Sequence, residues 1–154
     1  MRAHLLAPAC AAALILAACH TDVRYHTYHS AGSDGWETED TLTFRLYSSL
    51  TPNQYTLQLG VRHTGIYPYS DLWVALLHPC CEDVQPDTFH LLLTDGAGHW
   101  CGRGTESSSF QYESDPLLLT LSEPDTVLQV IHLMDTARLR GITDVGVKLT
   151  EAGQ

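Results

Sequence analysis

The stretch QYTLQLGVR, residues 54–62, decides the fold because its side chains separate by parity. Tyr55, Leu57, Leu59 and Val61 are apolar, while Gln54, Thr56, Gln58 and Arg62 between them are polar. A two-residue period puts one set on a core and the other in water, which is the signature of a half-buried β-strand. A helix would scatter the same residues around its circumference.

Working outward, TLTFRLY (41–47) alternates in the same way, with Leu42, Phe44 and Leu46 on one face. LWVALLH (72–78) and FHLLLT (89–94) are short continuous apolar runs bounded by turn residues. Such runs are expected of strands near the middle of a sandwich, covered on both faces. PLLLTLS (116–122), TVLQVIHLM (126–134) and DVGVKLT (144–150) complete the set, and Val23 to Tyr28 adds a candidate edge strand. Gly32 to Gly35, Thr51-Pro52-Asn53, Gln85-Pro86-Asp87, Asp95 to Gly98 and Glu123-Pro124-Asp125 punctuate the chain as turns, through the positive φ of Gly or the fixed φ of Pro. Only Thr136 to Arg140 suits a helical turn, and it is too short to stand alone. The expected fold class is all-β: a jelly-roll-like β-sandwich of about 7 to 9 antiparallel strands. Thr64 to Ser70 connects two of them, which predicts Trp73 in the core and Tyr67 and Tyr69 at the rim.

The N-terminus speaks to location. Leu5 to Ala18 is an apolar run interrupted by Pro8. It falls short of the roughly 20 residues a membrane-spanning helix needs, and it suits the core of a signal peptide. Leu16-Ala17-Ala18-Cys19 reads as a lipobox, with Cys19 as the lipidated residue. The expected organisation is a lipoprotein signal peptide over 1–18, an anchor and tether over 19–35, and a single sandwich domain over 36–154. Several acyl chains on one residue hold a protein stably to a bilayer. Cys19 is followed by His20 rather than Asp, and no acidic run follows it. This favours the periplasmic leaflet of the outer membrane. The sixteen residues between Cys19 and Trp36 could reach at most about 55 Å.

The formal net charge is -10, and loss of Arg2 with the leader takes it to -11. This balance repels nucleic acid and anionic surfaces. Lys148 is the single lysine. Beyond Cys19, the mature chain holds Cys80, Cys81 and Cys101. In an oxidising compartment one of the vicinal pair could bridge to Cys101, closing a loop of about 20 residues for roughly 3 kcal/mol. The other reading leaves all three as small apolar residues at strand ends. No CxxC pair exists for zinc.

Catalytic patterns fail on spacing. Gly96, Gly98 and Gly102 miss GxGxxG by one position, and no helix follows to receive phosphate. There is no GxSxG elbow, and Ser107 to Ser109 reads as a solvated loop. His26 and His29 fall on opposite faces of a strand, and His63 and His132 read as structural. Glu37, Glu39 and Asp40 flank Trp36 in an acidic turn. No enzyme activity, metal or cofactor is expected. The aromatics Trp36, Tyr67, Tyr69 and Trp100 stand out as candidate partner contacts.

Four motifs lie in sequence order: GW…DTLTF (35–44), LGVRH…YPYSDLWV (59–74), LLLTDGAGHWCGRG (91–104) and IHLM…LRGITDVGVKL (131–149). Together, behind a lipobox, they resemble the GldH family of gliding-motility lipoproteins of the Bacteroidetes. The family usually has Asn at the position of Asp71, a long aliphatic residue at Cys101 and Arg at Asp135. The resemblance implies a non-catalytic accessory lipoprotein of the gliding motility and type IX secretion machinery. Its partners would be other lipoproteins or outer-membrane proteins of that machinery, with acylated Cys19 in the bilayer. The alternative is a glycan-binding outer-membrane lipoprotein that stacks sugars on its loop aromatics.

Overall fold

The computed structural model describes residues 22–80, 85–105, 109–123 and 125–152. Cys19 and Cys81 lie outside the described residues, as do the leader and residues 106–108. Every described element is a strand: β1 Val23–Ser30, β2 Trp36–Glu37, β3 Leu42–Arg45, β4 Asn53–His63, β5 Asp71–Leu77 and β6 Asp87–Leu92, then β7 Arg103–Thr105, β8 Ser109–Glu113, β9 Leu117–Leu121, β10 Val127–His132, β11 Arg138–Leu139 and β12 Ile142–Glu151. Nine of these have four or more residues, in keeping with the all-β reading.

The strands form two main sheets and a small ribbon, all antiparallel. One sheet runs β1-β12-β4-β8-β7, with β9 also pairing β4. The other runs β3-β10-β5-β6. Long β4 is the spine of the first sheet: Ile142 to Glu151 pair along one side of it, and β9 and β8 share the other. Pro116 brings no N–H to the junction between β8 and β9. Ser114 repairs it, because the Leu59 N–H donates to Ser114 Oγ at 3.0 Å and the Ser114 N–H donates to the Leu59 carbonyl at 2.8 Å.

The opening stretch folds as its parity requires. Tyr55, Leu57, Leu59 and Val61 are buried beneath Val145, Val147 and Leu149 of β12, and Phe44, Leu72, Val74, Leu76, Leu128 and Val130 of the second sheet join the same core. Each such side chain contributes on the order of 1.5–3 kcal/mol by leaving water.

Two expectations need correction. Residues 136–140 form no helical turn; Arg138–Leu139 is β11, paired with Trp36–Glu37 of β2. Gly35, at φ 116°, makes this ribbon possible, since a Cβ there would stand 2.5 Å from the Leu139 carbonyl oxygen. Ser109 begins β8 rather than sitting in a loop. The Val23 to Tyr28 segment is the expected edge strand: β1 pairs with β12 from Val23 to Ser30 and ends the large sheet. The link from Cys19 to Val23 is then only four Cα steps, about 14 Å at full extension.

Candidate interaction surface

Parity along β5 points Leu72, Val74 and Leu76 inward, where all are fully buried. It therefore sends Asp71, Trp73, Ala75 and Leu77 to the opposite face. Trp73, expected in the core, is 40% exposed there. Its indole stacks on the His90 ring of β6, with centroids 4.0 Å apart and planes 10° apart. His90 Nε2 lies 2.7 Å from Asp71 Oδ2, which fixes the imidazole under the indole. Leu92 is opposite Asp71 in the register, and the Leu133 N–H donates to the Trp73 carbonyl. Leu92 and Leu133 are 55% and 47% exposed. Ile131 opposes Ala75 and Gln129 opposes Leu77. The outer face of the four-stranded sheet is thus an apolar surface centred on Trp73.

Aspartates stand around it. Asp87 opens β6 and pairs with His78 at 3.2 Å, and Asp95 lies just past its end, paired with His99 at 3.2 Å. Backbone N–H groups of His99 and Ala97 hold the Asp95 carboxyl below the usual carboxylate range.

The aromatics singled out from sequence are placed differently. Trp36 is fully buried, its Nε1–H donating to the Asp40 carbonyl at 2.9 Å and its ring edge-on to His132. Tyr67, expected at the rim, is 3% exposed and donates its hydroxyl to the Asp71 carbonyl at 2.8 Å. Burial pushes its phenol well above the ordinary tyrosine range. Neither ring is open to a partner. Trp100 is half-buried against His63 and Phe110. Tyr69, at 39% exposure, remains at the surface, edge-on to Tyr67. The four do not form an exposed row. Tyr67 is held in the core because Pro68 keeps the residue before it extended and Gly141 packs against its backbone.

Three histidines are buried: His78, paired with Asp87, and His63 and His132 deeper in the interior. His63 on β4 is fully buried among Tyr67, Trp100 and Phe110, its Nδ1 3.2 Å from the Thr64 carbonyl. His132 on β10 is 3% exposed and packs edge-on against Trp36. Burial lowers the pKa of both below the ordinary value. They are neutral core groups without an adjacent carboxylate or nucleophile among their ring contacts.

The cysteines separate. Cys80 follows the C-terminal end of β5, with its sulfur 3.6 Å from Thr126 Oγ1. The Cys101 N–H donates to the Leu93 carbonyl, beyond the other end of the β5–β6 pair. The length of β5 between them, roughly 20 Å, rules out a Cys80–Cys101 bridge, and both are free thiols. Among the described residues, no group of three or more His, Cys, Asp and Glu side chains could hold a metal. A cleft of about 590 Å³ opens beside the β2–β11 ribbon, lined by the Gly32 to Gly35 turn, Ile66, Arg138 and Arg140.

The family model of the GldH lipoproteins matches residues 23–149, from the first residue of β1 to nearly the end of β12. The chain belongs to the GldH lipoprotein family. It is therefore a gliding-motility-associated lipoprotein, and membership of a lipoprotein family implies membrane anchoring. The match takes in every strand described above, so the apolar outer face lies wholly inside the family's domain. No curated protein matches the chain.

Proposed function

We propose that this protein is a non-catalytic accessory of the gliding motility and type IX secretion machinery, anchored through acylated Cys19 to the periplasmic face of the outer membrane and working through protein–protein contacts. One observation carries the reading. A strand apolar on both faces is expected to be covered on both, yet Trp73 of LWVALL in β5 stands 40% exposed on the side away from the core, while Ala75 on that side is buried. An exposed tryptophan is of a residue type enriched in binding hot spots. Arg24 and Lys148 form ordinary surface ion pairs with Asp22, Glu151 and Glu113. The ring contacts of His63 and His132 are aromatic.

The test is complementation of a deletion strain. The double variant Trp73→Ser, Leu133→Ser should reach wild-type levels in the membrane fraction and fail to restore spreading or secretion. Cys19→Ala should fail both at membrane fractionation and at restoration. Full activity of the double variant would remove the surface from the account. A glycan reading would need several rings open on one surface, and Trp36 and Tyr67 are buried.

A further inference from the structure

The apolar face runs out to a sheet edge that is unpaired among the described residues, and the two share residues. β6 ends the four-stranded sheet. At its distal end the Leu93 N–H donates to the Ser70 carbonyl at 2.9 Å. Antiparallel bonding repeats every two residues, so Leu91, Phe89 and Asp87 bond to Leu72, Val74 and Leu76 of β5, and Thr88, His90 and Leu92 direct their N–H and C=O groups away from it. The same three residues have exposed side chains on the apolar face.

Other sheet edges carry the devices that discourage pairing. β1 has a register shift between Val23 and Tyr25 and packs toward β3. β7 has three residues, and β3 four with Arg45 at its end. β6 has six residues, with no register shift, proline, lysine or arginine.

The geometry points to β6 as a strand-addition site. An extended segment of a partner protein pairs with Thr88, His90 and Leu92 and lays its alternate apolar side chains beside Leu92 and the Trp73–His90 stack. This rests on the reading of the face as a protein contact and specifies how the contact is made. Charge identifies the partner's chemistry. Asp87 and Asp95 bracket the two ends of β6, and Asp71 lies beside Leu92, so the segment is apolar in the middle and basic at its ends. A second copy is a poor occupant: antiparallel β6–β6 pairing about His90 would set the Asp87 end of each strand against the Asp95 end of the other.

The experiment uses the full-length chain in its own membranes, with a photoreactive amino acid at Thr88 or Leu92. Crosslinks should fall on one contiguous segment of one protein, with the attachment point moving along that segment between the two positions. His90→Pro removes an outward N–H while sparing the bonds to β5 and should cut crosslinking at least tenfold, with folding checked by circular dichroism. A synthetic peptide of the crosslinked segment should bind the purified domain, and the same peptide N-methylated at alternate residues should not. That pair of peptides decides the matter even if the proline variant does not fold. Crosslinks scattered over a folded surface, or equal binding by both peptides, would overturn strand addition and leave the protein-contact reading intact. Crosslinks only to lipid or to a second copy of this chain would overturn the partner named here. Absence of any crosslink, together with a functional Trp73→Ser, Leu133→Ser variant, would overturn both.

Discussion

The two sheets turn similar faces to one another and dissimilar faces outward. On the outer face of the large sheet, β1, β12, β4 and β8 present His26, Lys148, Gln58, Arg62, Gln111 and Glu113. Its one aromatic, Tyr28, lies over Gly146 and Gly60 with the Arg62 guanidinium 4.0 Å above the ring. Lys148 reaches Glu113 at 3.4 Å. On that face a cation covers the tyrosine ring and Lys148 is matched by Glu113, while Leu118 of β9, opposite Thr56, stands 60% exposed. The outer face of the four-stranded sheet groups exposed Trp73, Leu92 and Leu133 around half-buried Ile131. The larger apolar grouping is the one that suits a contact.

The contrast can be broken hardest at Tyr28. A Cβ on Gly146 would stand 2.7 Å from the ring. Gly146→Ala should therefore cost about 1–3 kcal/mol by expelling the tyrosine from its bed. In a Tyr28→Ala background the same substitution should become neutral or slightly stabilising, because alanine suits a strand better than glycine by about 0.5–1 kcal/mol. Denaturant unfolding of the four proteins measures this, and an undiminished cost in the double variant would show that the ring is not what the glycine accommodates.

Acid probes the interior through His63 and His132. Because burial holds the folded-state pKa of His63 and His132 below 6.5, the unfolded chain takes up protons first as pH falls. The stability is complete above about pH 6.5 and declines below it, through the window down to the folded pKa values. Unfolding midpoints at pH 7.5 and pH 5 should differ in that direction. His132→Leu should flatten the dependence, since an apolar group of similar shape has no proton to gain.

Trp73→Ser separates the two faces most cleanly. A ring 40% exposed and stacked on one neighbour is worth about 1 kcal/mol to the fold, so the melting temperature should fall only slightly while function is lost. Smallest of all, Lys148→Gln should change stability by less than about 0.5 kcal/mol, as surface ion pairs do. A larger loss at Lys148 than at Trp73 would reverse the assignment of the faces.

How far the sequence could be read follows from what period-two patterns contain. The alternation in 54–62 specified β4 because one face is wet and the other dry, and parity alone distinguishes them. In LWVALLH and FHLLLT both parities are apolar, so the pattern implied cover on both sides and placed Trp73 in the core. The structure covers one side and leaves β6 at an edge. An interface awaiting a partner and a buried core have the same composition, and only the fold separates them. His90 and Leu92 were missed for that reason, although their shared parity with Trp73 was there to be counted across the hairpin. Trp36 and Tyr67 misled in the opposite way: aromatics beside turns look exposed, but here the β2–β11 ribbon and Gly141 draw them inward. The two-residue strands β2 and β11 are too short to carry any period.

The short link ahead of β1 also has a mechanical side. A lipid at Cys19 would transmit any tug on the domain to Val23 and so along the axis of β1. Seven paired positions join β1 to β12, and their hydrogen bonds lie across that axis. Force applied this way shears the bonds together instead of peeling them one at a time.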